Sequence, residues 1–195
     1  MSSEKTSNPL RQQIREQRRQ LSAGQQSQHA EQLSQRIVQQ AVFINSQHIA
    51  AYLSNDGEID PAGIIEQAWN LGKKVYLPVL SAHENSLLFA PYEQDSPMCK
   101  NQFGIDEPDS LPEHWLKAEH MDLILLPLVA FDEQGNRMGM GGGFYDRSLS
   151  SIRTQNKNTQ LIGLAHEIQK VAQLEAQSWD IPLDAIATEN MLYQA

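Results

Sequence analysis

Cysteine is almost absent from this sequence of 195 residues, which contains only Cys99. A single thiol can form neither an internal disulfide nor the paired cysteines of a CxxC metal site. The sequence also lacks an apolar run of the roughly 20 residues that a membrane-spanning helix needs. Its polar first residues do not contain the apolar segment of a secretory signal. These absences exclude a disulfide-stapled scaffold and predict a cytoplasmic protein that is not embedded in a membrane.

Positive charge is also scarce: 15 lysine and arginine residues stand against 24 aspartate and glutamate residues, giving a net charge of −9 at pH 7. Such a surface repels the phosphate backbone of nucleic acids, so we do not expect a nucleic-acid partner. The hydrophobic fraction of 40% and the charged fraction of 20% are ordinary for a globular protein. The length then favours a single domain over residues 1–195.

Helix-like and strand-like apolar patterns alternate along the chain. Ser22 and Gln25 form a capping-box signature between two N-terminal helical stretches. Strands are predicted at residues 48–54, 73–80, 87–92, 122–131, 160–165 and 185–188, and further helices at residues 64–72 and 145–152. The apolar run 122–131 has the composition of a central parallel strand. This alternation predicts an α/β fold in which a mostly parallel sheet is flanked by helices on both faces.

Residues 136–149, NRMGMGGGFYDRSL, contain four glycines within five positions. The stretch follows a predicted strand and precedes a predicted helix, and in open α/β sheets ligands gather at the carboxyl ends of strands. Bare backbone N–H groups can surround phosphate oxygens, and Arg137 and Arg147 can neutralise phosphate charge. Asp146 would share Mg²⁺ with the phosphates, because a carboxylate alone is repelled there. A tight exposed connection remains the alternative, since the pattern matches neither a Walker A loop nor GxGxxG.

The segment LLPLVAFDEQGNRMGMGGGFYDR resembles the signature of the 5-formyltetrahydrofolate cyclo-ligase family, also called methenyltetrahydrofolate synthetases. The resemblance extends over most of the chain, because further similar segments follow in the family's order. These segments are LRQQIREQRRQLS, AYLSNDGEID, GKKVYLPVL, FGIDEP and WDIPLDAIAT. The resemblance implies a single-domain fold similar to that of sugar-phosphate isomerases and CoA transferases.

The activity implied by this resemblance is the ATP- and Mg²⁺-dependent conversion of 5-formyltetrahydrofolate, with or without a polyglutamate tail, into 5,10-methenyltetrahydrofolate. The formyl oxygen attacks the γ-phosphate, N10 of the folate attacks the activated carbon, and phosphate leaves beside ADP. Phosphoryl transfer asks the protein mainly for positioning and charge neutralisation, so a covalent nucleophile is not needed. The resemblance therefore implies small-molecule partners, and we expect a monomer.

The family's ATP-binding positions fall on the glycine stretch and on the N-terminal helix. Arg137 and Tyr145 would be the catalytic residues, with Arg137 stabilising the transferring phosphoryl group. Asp146 and Asp180 match Mg²⁺ positions, although an Asp before Ile-Pro is equally an ordinary turn residue. The implied ATP-binding residues are Ser7, Arg11, Arg15, Arg137, Met138, Gly139, Met140, Gly141, Gly142, Gly143, Phe144 and Tyr145.

The folate site implied by the resemblance combines one carboxylate with aromatic side chains. Glu58 would accept hydrogen bonds from pterin N–H groups, and Leu53 would contact the folate. Tyr52 and Phe103 match positions that flank the pterin, although from the sequence alone both would be core residues. The same resemblance places Gly141, Gly142, Gly143 and Phe144 near the folate.

The N-terminal helix departs from the family pattern at one position. Ser7 stands where the family has a lysine, and the nearest lysine is Lys5. Arg18 and Arg19 on the same helix are interpreted as a solvated face. Six histidines lack the spacing of a structural zinc site. His166 follows a predicted strand and could line the cleft, but it is interpreted as a surface residue.

Two other function classes remain open on the sequence alone. A sugar-phosphate isomerase or transferase would share the fold, because fold does not fix function. A non-catalytic folate-binding protein would bind 5-formyltetrahydrofolate without ATP. The phosphate-binding features of the glycine stretch argue against the second class.

Overall fold

A computed structural model of the chain describes residues 3–81, 85–154, 158–177 and 179–194, and the side chains of all of these except residues 3–8, 153 and 154. The helices are α1 (Ser3–Arg19), α2 (Ala23–Val38), α3 (Ala41–Asn45), α4 (Ala62–Asn70) and α5 (Phe144–Thr154). The strands are β1 (His48–Ala50), β2 (Lys74–Leu80), β3 (Leu87–Pro91), β4 (Met98–Lys100), β5 (Asp106–Pro108), β6 (Leu123–Pro127), β7 (Ala130–Phe131), β8 (Arg137–Met138), β9 (Gln160–Leu164), β10 (Ala185–Ala187) and β11 (Leu192–Gln194).

A seven-stranded sheet in the order β11-β10-β9-β6-β1-β2-β3 forms the centre of the molecule. Its five inner strands, β10, β9, β6, β1 and β2, pair in parallel. The two edge strands, β3 and β11, pair antiparallel to their neighbours. Strands β4 and β5 form a separate hairpin, as do β7 and β8. The predicted mostly parallel α/β sheet is thus confirmed.

Helices cover both faces of this sheet, which explains why the central strand is apolar throughout. Side chains alternate across a strand, so Leu123 and Leu125 of β6 pack with α2, α3 and α4 on one face. Ile124 and Leu126 pack with α5 on the other face. Both sets are fully buried.

Local signals in the sequence set several helix boundaries. Ser22 and Gln25 make both hydrogen bonds of a capping box at the start of α2, as predicted. Asp60 accepts a hydrogen bond from the Ala62 amide at the start of α4. Gly72 follows α4 with φ +70°, a conformation that favours glycine.

Several predicted boundaries are wrong. Residues 48–54 pair as a strand only over β1, and the run 122–131 divides into β6 and β7. The two hairpins and β11 were not predicted. Among the described residues, none of the helices is both long enough and apolar enough to pass through a membrane.

Helix α1 lies outside the sheet, against the loops at the carboxyl ends of its strands. Ile14 is buried against Val129 and Ala130, which follow β6. Farther along the helix, Arg18 donates a hydrogen bond to the carbonyl of Leu128 and another to that of Asp56 in the loop after β1. The helix therefore joins the loops that carry the predicted site residues.

Candidate active site

The glycine stretch is an exposed loop that connects β8 to the start of α5. Gly141 has φ +96° and Gly143 has φ +65°, both in the left-handed region that glycine adopts without strain. Arg147 in the first turn of α5 donates a hydrogen bond of 2.6 Å to the Gly142 carbonyl. A β-carbon at Gly143 would lie 2.7 Å from the guanidinium of Arg147. The positive φ values therefore favour glycine in this loop, and a side chain at Gly143 would require Arg147 to move.

Arg11 connects helix α1 to the same loop. Its Nε donates a hydrogen bond of 2.9 Å to the Gly139 carbonyl, and its guanidinium lies 3.8 Å from the β-carbon position of Gly141. Met140 between them is exposed. Ser7 and Lys5 lie in α1, but their side chains are outside the described residues. The structure thus brings the predicted Arg11 to the predicted loop.

Arg137 in β8 and Asp146 in α5 form an ion pair beside the loop. Arg137 Nη2 donates to Asp146 Oδ1, and its Nη1 donates to the Ile181 carbonyl. The Ile181 amide donates to the same Asp146 oxygen at 3.3 Å. Asp180, the preceding residue, accepts a hydrogen bond of 2.8 Å from the Gln177 amide and closes a turn. The two predicted Mg²⁺ carboxylates are therefore carried by segments that contact each other.

Glu58 lies in the loop after β1, where it is largely buried. Burial raises the pKa of its carboxyl group, and the nearby charge of Arg18 opposes that rise. Burial and Glu58 also raise the pKa of Tyr145 above its ordinary value, so the phenol remains a hydrogen-bond donor. Tyr52 is buried in the core and donates from its hydroxyl to the Ile59 carbonyl at 2.7 Å. Leu53, next to it, is half-buried.

Phe103 lies on the turn between β4 and β5 and is 58% exposed. Its ring meets that of Phe144 edge-on, with 5.9 Å between the centroids. The Arg147 guanidinium lies 5.2 Å from the ring of Phe144, the first residue of α5. The interpretation of Phe103 as a core residue is wrong, because the hairpin carries its ring out of the core and to the loop.

A cluster of arginines converges on Asp56 in the loop after β1. Arg15 Nε donates to Asp56 Oδ2 at 2.7 Å, Arg18 Nη2 donates to the same oxygen at 3.0 Å, and Arg19 pairs with Oδ1. Arg18 also lies 3.7 Å from Glu58. The interpretation of Arg18 as a solvated residue is wrong, because its side chain is 0% exposed. Arg19 is 46% exposed but ion-paired.

His166, which follows β9, is fully buried, so its interpretation as a surface residue is also wrong. Its Nδ1 lies 2.9 Å from Nδ1 of His29 in α2. Burial and the neighbouring His29 lower the pKa of His166 to about 4, and the ring is therefore neutral at pH 7. No sequence spacing could have indicated this pair, since 137 positions separate its members.

Comparison with known proteins gives consistent matches over nearly the whole chain. The sequence model of the 5-formyltetrahydrofolate cyclo-ligase family matches residues 3–189. The 5-formyltetrahydrofolate cyclo-ligase of Escherichia coli K12 is 41% identical over 182 residues, covering 93% of this chain and 99% of that protein. The 5-formyltetrahydrofolate cyclo-ligase of Haemophilus influenzae is 43% identical over 175 residues, covering 89% of this chain and 92% of that protein. The NMR structure of Aquifex aeolicus 5,10-methenyltetrahydrofolate synthetase is 26% identical with a TM-score of 0.81, covering 96% and 92%.

Proposed function

We propose that ATP and Mg²⁺ drive the reaction of this enzyme. The chain belongs to the 5-formyltetrahydrofolate cyclo-ligase family, and it forms 5,10-methenyltetrahydrofolate from 5-formyltetrahydrofolate. Neither a sugar-phosphate isomerase nor a non-catalytic folate-binding protein is retained as an alternative. The oxygen of the formyl amide leaves its carbon poorly as oxide. It leaves far more readily once it is part of a phosphate. Transfer of the γ-phosphoryl group to the formyl oxygen therefore prepares the carbon for attack by N10 of the folate.

The proposed phosphate site is the loop from Gly139 to Gly143. What supports it is the bare, exposed backbone of the loop and its position at the start of α5. The positive end of a helix favours an anion there by about 0.3–1 kcal/mol, so further charge is needed to hold a nucleotide. Arg11 supplies it, because its guanidinium already lies against the loop.

Arg137 would stabilise the transferring phosphoryl group. Its ion pair with Asp146 and its bond to the Ile181 carbonyl hold the guanidinium in one orientation beside the loop. A preorganised donor of this kind acts without reorganisation during the reaction. The ion pair with Asp146 therefore supports the proposal that Arg137 is already oriented before the nucleotide binds.

Asp146 and Asp180 fit a Mg²⁺ ion, because this cation takes carboxylate and phosphate oxygens. Asp146 keeps part of its carboxylate surface accessible beside the loop. Asp180 directly precedes Ile181, whose amide donates to Asp146. When bound, Mg²⁺ would neutralise phosphate charge near the transferring group. Without the ion, the negative charge of Asp146 and Asp180 would repel ATP.

For the folate we propose a pocket between Glu58, Tyr145 and the Phe103–Phe144 contact. Glu58 would accept hydrogen bonds from pterin N–H groups, and Tyr145 would donate one from its phenol. The burial of Glu58 strengthens such a bond, because a carboxylate interacts more strongly where water is excluded. The exposed ring of Phe103 offers an apolar surface next to the loop.

The observation that carries this proposal is the contact of Arg11 and the Arg137–Asp146 pair with one glycine loop. The test is to mix the purified protein with 5-formyltetrahydrofolate and Mg²⁺, with and without ATP. Absorbance follows the methenyl product, and a coupled assay follows ADP. We expect product only with ATP and one ADP for each product molecule. Product formed at the same rate without ATP would overturn the proposal.

Variants at the pair locate the chemistry. We expect Arg137→Lys to lower kcat by about 10²- to 10³-fold, as removal of one preorganised donor does elsewhere. Asp146→Asn should raise the Mg²⁺ concentration that gives half-maximal rate. Asp95→Asn, an exposed aspartate outside the site, is the matched control. Control-like kinetics in both site variants, with circular dichroism unchanged, would contradict these roles.

A further inference from the structure

Three side chains with metal-binding atoms meet beside α2, beyond the carboxyl ends of β9 and β10. His29 belongs to α2, His166 follows β9, and Glu189 follows β10. His29 Nδ1 lies 2.9 Å from His166 Nδ1 and 3.5 Å from Glu189 Oε1. The three ligand atoms all lie within 4.8 Å of one another. Long-range folding, and no local motif, therefore brings together two imidazoles and a carboxylate.

Hydrogen bonds among these three groups leave one acceptor without a donor. A proton on His29 Nδ1 that points to His166 cannot also serve Glu189. A proton on His166 Nδ1 that points to His29 leaves Glu189 Oε1 without a donor from either ring. His166 is fully buried, and a neutral ring that carries its proton on Nε2 presents the lone pair of Nδ1 to His29. What marks the cluster is therefore the close approach of His29 Nδ1, His166 Nδ1 and Glu189 Oε1, which all lie within 4.8 Å of one another.

We propose that His29, His166 and Glu189 bind one divalent transition-metal ion of the Zn²⁺ type, separately from Mg²⁺ at the glycine loop. Imidazole nitrogens suit Zn²⁺, Co²⁺ or Ni²⁺, whereas Mg²⁺ prefers oxygen ligands. Tetrahedral Zn²⁺ with bonds near 2.0–2.1 Å separates its ligand atoms by about 3.3 Å. Two of the observed separations, 2.9 and 3.5 Å, bracket that value, and the third lies within 4.8 Å.

The surrounding contacts already orient the ligands. Glu189 Oε2 accepts a hydrogen bond of 2.9 Å from the Glu167 amide, which leaves Oε1 toward the histidines. Arg36 of α2 donates to the Glu189 carbonyl at 3.0 Å. Such outer contacts fix ligand orientation in metal sites. The ion would tie α2 to the segments that follow β9 and β10, and its role is structural.

The test uses full-length protein that has been treated with a chelator, dialysed, and saturated with Mg²⁺. We expect Co²⁺ to bind one per chain, with the visible absorption bands of a four- or five-coordinate ion, and Zn²⁺ to displace it. Zn²⁺ should also raise the melting temperature, because a ligand that binds the folded state stabilises it. Absence of saturable Co²⁺ bands in the wild-type chain would overturn the proposal.

Variants assign the ligands. His29→Gln and Glu189→Gln should each weaken Co²⁺ binding at least tenfold, whereas His114→Gln, an exposed histidine elsewhere, should bind as the wild type does. Wild-type affinity in both ligand variants would place the ion elsewhere and refute the site. X-ray absorption of the Zn²⁺-loaded wild type requires no variant to fold. It should show two imidazole ligands, and a shell of oxygen atoms alone would equally refute the proposal.

Discussion

Arg18 and Arg19 are adjacent arginines that pair with the same carboxylate, Asp56, but differ in burial. Arg18 is 0% exposed, whereas Arg19 is 46% exposed. Replacing each by methionine keeps most of the apolar stem and removes the charge. We expect Arg18→Met to destabilise the fold strongly and Arg19→Met to have little effect.

The magnitudes follow from what each substitution leaves behind. Arg18→Met removes the donor for the buried carbonyl of Leu128 and for that of Asp56, and it removes the cation 3.7 Å from Glu58. Breaking a buried charge pair in this way costs about 3–5 kcal/mol. Arg19→Met removes an exposed pair, which contributes about 0.2–1 kcal/mol.

Urea unfolding followed by tryptophan fluorescence measures both variants, since the chain has three tryptophans. For a chain of this size, 1 kcal/mol corresponds to roughly 2–4 °C of melting temperature. Arg18→Met should therefore melt roughly 6–20 °C below the wild type. A second readout is the KM for the folate, which should rise because Arg18 no longer opposes the raised pKa of Glu58.

Equal free energies of unfolding in the two variants would refute this reasoning. That result would mean that the burial of Arg18 carries no energetic weight beyond that of a surface ion pair. A large loss in both variants would instead assign the stability to Asp56, the shared partner.

Three further predictions concern the two loops. Glu58→Gln should raise the KM for the folate roughly tenfold to hundredfold with the KM for ATP unchanged, since a charge-assisted hydrogen bond contributes about 1.5–3 kcal/mol; steady-state kinetics measure both. Gly143→Ala should lower the free energy of unfolding by about 1–2 kcal/mol and weaken ATP binding, because φ is +65° and the new carbon meets Arg147. Urea unfolding and calorimetry of ATP binding measure the two effects. The control is Gly24→Ala, where the new carbon has open space, and it should be neutral or stabilising. Burial would raise the pKa of Asp56, but hydrogen bonds from Arg15 and Arg19 outweigh burial and lower it. The ionised carboxylate therefore stabilises the fold above the unfolded-state pKa, and this stabilisation is lost as the pH falls through the folded-state pKa. Urea midpoints measured between about pH 7 and pH 3 should fall less steeply in Asp56→Asn than in the wild type.

Features set by neighbouring residues were predictable from the sequence. The capping box of Ser22 needs only Gln25, three residues away, and the structure has both of its hydrogen bonds. The inner strands β6 and β9 are apolar runs, because both faces of a parallel sheet are buried. The glycine loop and the helix that follows it were predicted from the sequence pattern, whereas β8, which precedes the loop, was not.

Features set by distant partners were not predictable. The run 122–131 has no periodicity, so nothing local indicates that the chain leaves the sheet after Pro127 and forms a hairpin. Arg18 is buried because Asp56, 38 residues away, and Leu128, 110 residues away, accept its hydrogen bonds. The hairpin that carries Phe103 to the loop lies in a polar stretch without strand alternation. In each case a tertiary contact outweighs the local preference.

Strand β11 covers the edge of β10, whose residues Ala185–Ala187 are apolar and buried. Uncovered, β10 would present unpaired backbone groups without a charged or bulky side chain to deter another chain. Loss of residues 192–194, through proteolysis or shortening of the gene, would therefore favour edge-to-edge aggregation even with the glycine loop intact. An affinity tag cleaved close to this strand carries the same hazard for anyone who purifies the enzyme.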